Sequence, residues 1–196
     1  MITEKEARKI IGIDGAGALV KIVGGAWKRF VDEGVKRSPA ARAIVVWDYM
    51  IEEAEKHLLG KFDGVERVML SKSPAYVLRN RILLRFKKHD HDMLTKNIPT
   101  ELQKRIAKNG YFDGMPGLAV LTCGYVLDKA EAGIEKIVAA RAISNVSEWH
   151  IDLSELAAGV LAPTKPIIPR IGGSEEVASL PSIARVARKE DGDGAK

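Results

Sequence analysis

The sequence predicts an α+β fold. N-terminal helices pack on an antiparallel sheet of about five strands, with one inserted helix and an extended C-terminal tail. Three observations carry this reading. Apolar residues recur at helical spacing up to residue 60, then at every second position in most segments from Val65 onward. Helical segments come first and strands follow, the order that favours α+β over alternating α/β. After Leu153 the composition turns rich in proline and charge.

Residues 3–11 read as a short helix, with Thr3 and Glu6 spaced for a capping box. The glycine-rich run Gly12-Ile13-Asp14-Gly15-Ala16-Gly17 is expected to break it. Leu19, Val23, Ala26, Trp27 and Phe30 then repeat at helical spacing, so a second helix should run to Gly34. Ala40, Ile44, Trp47, Ile51, Ala54 and Leu58 follow at intervals of 4, 3, 4, 3 and 4, which places them on one stripe of a third helix. Ser38 suits its N-cap, Pro39 its first turn and Gly60 its stop. The stripe should cover the sheet, or else pair with a second copy in a homo-oligomer.

Strands are expected at 65–73, 76–78, 82–88, 118–128, 134–143 and around Trp149, Ile151 and Leu153. Arg79-Asn80 is the turn of a hairpin, because asparagine tolerates positive φ. A helix at 100–108 opens on Thr100 and Gln103 and closes at Gly110. Residues 1–37 therefore form a helical segment, 38–153 an α+β domain and 154–196 a flexible tail, too poor in apolar surface to fold alone.

Composition narrows the function. The 196 residues are 46% hydrophobic and 29% charged, which excludes a fully disordered chain, a collagen-like fibre and a polytopic membrane protein. Asp14, Lys21, Lys28 and Arg29 interrupt the most apolar stretch, so no membrane span is expected. The one cysteine, Cys123, excludes an internal disulfide and a cysteine-rich zinc site, and points to a cytoplasmic location. Cys123 sits mid-strand among apolar residues and behaves there as a small hydrophobe.

Lys and Arg outnumber Asp and Glu by 31 to 26. Residues 65–109 hold 11 basic and 4 acidic residues, so this segment carries +7 of a total of +5. Alternation along 81–88 sorts Ile82, Leu84 and Phe86 onto one side of a strand and Arg81, Arg85 and Lys87, with Leu83 among them, onto the other. With Arg79 and Lys88 these form a cationic row whose side chains repeat every ~6.6 Å, a spacing that can track phosphates. The plain alternative is a solvated outer face that discourages edge-to-edge pairing.

Other chemistry is weaker. His89, Asp90, His91 and Asp92 are the candidate metal ligands, with His57 or His150 completing a set. That cluster beside a basic strand is the basis for an alternative reading, a metal-dependent nuclease or hydrolase acting on nucleic acid. Residues 12–17 lack a full phosphate-binding glycine motif and read as a hinge. Residues 3–24 resemble a degenerate helix-turn-helix.

Three stretches together carry a family resemblance: Trp47-Asp48-Tyr49-Met50-Ile51-Glu52-Glu53-Ala54, the basic strand at 81–88, and Cys123-Gly124-Tyr125-Val126-Leu127-Asp128. Over residues 39–153 the chain resembles small proteins of phages, prophages and bacterial mobile elements, some encoded beside ImmA/IrrE-type metallopeptidases. The resemblance implies a regulatory or antitoxin-like role and brings no catalytic residues with it. The expected protein is thus a non-catalytic regulator without a cofactor. It binds a protein partner, nucleic acid or both through Arg79, Arg81, Arg85, Lys87 and Lys88. A phage structural or assembly protein is the third reading.

Overall fold

The structure is a computed structural model and describes residues 2–70, 72–95, 117–143 and 146–159. Helices α1 (Glu4–Asp32) and α2 (Pro39–His57) are followed by strands β1 (Val65–Leu70), β2 (Ser73–Leu78), β3 (Ile82–His89), β4 (Ala119–Leu127), β5 (Ile134–Ile143) and β6 (Val146–Asp152). A short helix, α3 (Leu153–Ala157), ends the described chain. The inserted helix expected at 100–108 and the tail from residue 160 lie outside the described residues.

The Thr3 capping box forms: Thr3 Oγ1 accepts from the Glu6 amide at 3.2 Å and the Thr3 amide donates to Glu6 Oε2 at 2.9 Å. The expected break at residues 12–17 is confined to Gly12, whose φ of 67° and ψ of 174° kink one long helix. The chain thus forms two helical stretches that meet at Gly12, as expected, but residues 13–17 stay helical, so the longer turn that a helix-turn-helix over residues 3–24 would need is absent. Glycine alone takes the left-handed kink at little cost, and the remaining glycines fit an α-helix without one. By length and composition α1 could cross a membrane. Its Ile11, Leu19, Ile22 and Val23 are instead buried in the main core with residues of α2 and the sheet.

Ser38 caps α2 by accepting from the Ala41 amide, and Pro39 occupies the first turn, as the sequence predicts. The buried stripe differs from the predicted one. Val46, Met50, Ala54 and Leu58 are buried, Trp47 and Ile51 flank them, and Ile44 is 61% exposed. Pro39, Ala40 and Ala43 at the start of α2 border an open cleft instead of the sheet, so Ala40 has nothing to cover.

All six strands join one sheet in the order β1-β2-β3-β4-β5-β6. Arg79 and Asn80 both take positive φ, 48° and 52°, in the β2–β3 turn. That conformation matches the right-handed twist of the flanking strands. One pairing departs from the antiparallel expectation: β3 and β4 run parallel, from Ile82↔Ala119 to His89↔Val126. Residues 90–118 are long enough for the crossover that a parallel pair requires.

Helices cover one face of the sheet. Tyr76, Ile82, Leu84, Phe86, Leu121, Cys123, Tyr125 and Ile151 meet α1, α2 and α3 there in a single core. The opposite face buries Leu70, Ala75, Val77, Leu83 and Val120 in one cluster, and Met93, Val126, Val138 and Ala140 in another. α1 shares the main core with the sheet. Leu156 of α3 is buried in the same core.

Two glycines with opposite surroundings test this packing. A Cβ on Gly124 would run into the backbone carbonyl of Lys87, across the parallel pair. Gly124→Ala should destabilise the protein by ~1–3 kcal/mol in urea unfolding. Gly17 is helical with open space around its Cα, and Gly17→Ala should stabilise by about 0.5–1 kcal/mol. Equal effects of the two substitutions would contradict the packing.

Candidate functional site

Strand β3 carries most of the candidate residues, and its alternation is as predicted on the core side. Ile82, Leu84 and Phe86 are buried against the helices, with Phe86 edge-on to Tyr76 at 5.8 Å between ring centroids. The opposite side differs from the open cationic strip that the sequence predicts. Leu83 is fully buried and Arg85 is only 6% exposed. Strand β3 lies inside the sheet between β2 and β4, and parallel strands are commonly buried on both faces. A row that would be solvated on a one-sided sheet is therefore recessed here.

The five basic residues fall into three environments. Arg79 and Arg81 are exposed at the β2–β3 turn, and Arg81 Nη2 lies 3.9 Å from Glu6 Oε1 on α1. Arg85 and the half-buried Lys87 share the recessed face, where β4 sets Thr122 beside Arg85. Burial lowers the pKa of both, and the Arg85 charge lowers Lys87 further. No carboxylate among the described residues forms an ion pair with either. Lys88 projects to the helix side, where its Nζ donates to Glu131 Oε1 at 3.1 Å.

Glu131 is the hub of a clasp that sequence reasoning missed. Its Oε2 accepts from Arg42 Nη2 of α2 at 2.5 Å, and its carbonyl accepts from Arg42 Nη1 at 3.0 Å. Hydrogen bonds from Lys88 and then Arg42 hold its carboxyl below the usual range. Glu131 sits at φ 53° in the β4–β5 turn, where Asp128 Oδ1 accepts from the Ala132 amide at 2.9 Å. The clasp joins α2, β3 and that turn. Nothing in the local pattern of Arg42 or Glu131 signals it, because the partners lie 89 residues apart.

The His89–Asp92 run does not converge on a metal. Strand β3 ends at His89, so His89 and His91 do not share a strand face. His89 is 1% exposed, and its Nε2 lies 2.9 Å from Thr122 Oγ1. The Thr122 hydroxyl donates to the Ala140 carbonyl at 3.3 Å, which assigns the proton of that His89 contact to Nε2. His89 Nδ1 is left without a partner. Asp90 Oδ1 accepts from the Asp92 and Leu94 amides at 3.1 and 2.9 Å and so closes its own turn. His91 Nδ1 lies 3.8 Å from Glu135 Oε2. Among the described residues no three His, Cys, Asp or Glu side chains gather as a ligand set. Burial pushes the Cys123 thiol well above its usual pKa, so it stays protonated.

The buried imidazole makes stability depend on pH. Burial pushes the His89 pKa down to about 4, against an opposing effect of Asp90 and a reinforcing one of His150. The unfolded chain binds this proton near pH 6.5 and the folded chain only near pH 4. Stability from His89 is therefore complete above pH 6.5 and is lost as pH falls from 6.5 towards 4. The loss should be on the order of 2–3 kcal/mol. In His89→Gln, the fall in melting temperature between pH 6.5 and 5 should flatten; an unchanged slope would rule this account out. Comparison of the chain with protein-family models, with curated proteins and with solved structures found no match.

Proposed function

We propose that this protein is a non-catalytic regulatory binding protein, antitoxin-like in kind, which engages the phosphate backbone of nucleic acid through β3 and its leading turn. The observation that carries this is the recessed pair Arg85 and Lys87. They lie two residues apart on one face, and no described carboxylate forms an ion pair with either. A buried cation without a counter-charge costs several kcal/mol. An anion delivered by a partner offsets that cost. Arg79 and Arg81 extend the positive charge to the exposed end of the hairpin. Arg81 and Lys87 are six residues apart, ~20 Å along a strand, enough to span several phosphates of one backbone.

The reading treats Arg79 and Arg81 as the groups that meet the partner first, with Lys87 and Arg85 behind them. Each phosphate neutralised would release counterions, so affinity should fall steeply with salt. Among the described residues this face offers no aromatic platform for stacking bases, which favours backbone contact over sequence readout.

Fluorescence anisotropy with a labelled 20-base-pair duplex tests the proposal. The native protein should bind with an affinity that falls as salt rises. Arg79→Glu, Arg81→Glu and Lys87→Glu combined should weaken binding at least tenfold while the melting temperature holds. Unchanged binding would refute the strand as the interface. Arg85→Met supplies a second measurement. It should stabilise the free protein by about 1–3 kcal/mol and weaken binding at the same time. A destabilised Arg85→Met protein would place the counter-charge inside the chain and remove the reason for an external anion.

A further inference from the structure

We propose that the groove between α1 and the segment after α2 is the docking site of this chain's own residues 160–163, a contact independent of the role proposed for β3. The groove has a volume of about 450 Å³. Ile13, Gly17 and Ala18 of α1 line it, with Phe62 after α2 and Ala157 of α3. Small residues keep it open: a Cβ built on Gly17 meets nothing within 4 Å. Ile13, the first residue past the kink at Gly12, is 56% exposed at this apolar surface.

The described chain ends at this groove. Ala157 is the last residue of α3, and Gly159 closes that helix with φ 73° and an amide that donates to the Leu156 carbonyl at 3.1 Å. A left-handed glycine cap of this kind turns the chain away from the helix axis. A Cβ on Gly159 would stand 4.0 Å from Ile13 Cδ1. The chain therefore leaves α3 beside Ile13, and residue 160 starts at the mouth of the groove.

The next residues match the groove in length and polarity. Val160, Leu161, Ala162 and Pro163 carry no charge. Extended, they span ~13 Å, against a rise of ~12 Å along α1 from Ile13 to Lys21. Asp14, Lys21 and Lys61 also line the groove and are exposed, and among the described residues their side chains make no ion pair or hydrogen bond. An apolar occupant covers Ile13 and Phe62 and leaves those charges in water, whereas a charged one would meet both signs. Tethering favours the chain's own segment over a free peptide, because a short link holds it at an effective concentration on the order of millimolar.

Disulfide trapping in the full chain tests the contact. Cys123 is buried and takes no part in mild oxidation. The pair Gly17→Cys and Ala162→Cys should close within one chain at least tenfold faster than the pair Gly17→Cys and Ala195→Cys. Equal rates for the two pairs overturn the proposal. A disulfide formed only between two chains also overturns it and makes a second copy the occupant. Limited proteolysis gives a measurement that needs no new cysteine. Thermolysin should cut before Leu161 at least tenfold faster in Ile13→Glu than in the native protein, with the melting temperature nearly unchanged. Cleavage no faster in Ile13→Glu removes Ile13 from the contact and overturns the proposal.

Discussion

The parallel pairing of β3 with β4 is the constraint on which the rest of the molecule depends. It places β3 in the interior of a six-stranded sheet, so both of its faces need cover. It aligns the carboxyl ends of two strands at one edge, where the cleft opens. It also demands close approach of two backbones at Lys87 and Gly124, and only a residue without a side chain fits there. A hairpin in the same place would have set the end of one strand beside the start of the next, and neither the cleft nor the recessed cations would have followed.

The recessed cations show a tension between stability and binding. Arg85 gains nothing from solvent, has no described carboxylate in an ion pair, and lies close enough to Lys87 to lower its pKa. Glu131 resolves the same problem on the other side of the strand, where it satisfies Lys88 and Arg42 together. One strand thus carries compensated charge on its helix side and uncompensated charge on the opposite side. The contrast within eight residues is what directs attention to the second face.

Much of the architecture was legible in the sequence because it is governed by local rules. Thr3 and Glu6, Ser38 and Pro39, and Arg79-Asn80 each encode a cap or a turn through their own side chains and backbone preferences. Alternation at Ile82, Leu84 and Phe86 named the core side of β3 correctly. The stripe on α2 was legible only in part. The pattern from Ala40 to Leu58 marks an amphipathic helix, but its position over the sheet decides which residues are covered, and its first turn overhangs the edge. The same limit applies to Gly12, where composition announced a break without its extent.

The sequence by itself determined the α+β class, the caps and turns, and the side of β3 that meets the core, because each rests on residues near one another in the chain. Tertiary structure alone decided the direction of β4 against β3, the burial of Arg85, the clasp of Arg42 and Lys88 on Glu131, and the dispersal of His89 and His91. Those outcomes depend on which distant segments become neighbours. Periodicity records that a side chain has a preferred side, and it is silent about what stands on that side.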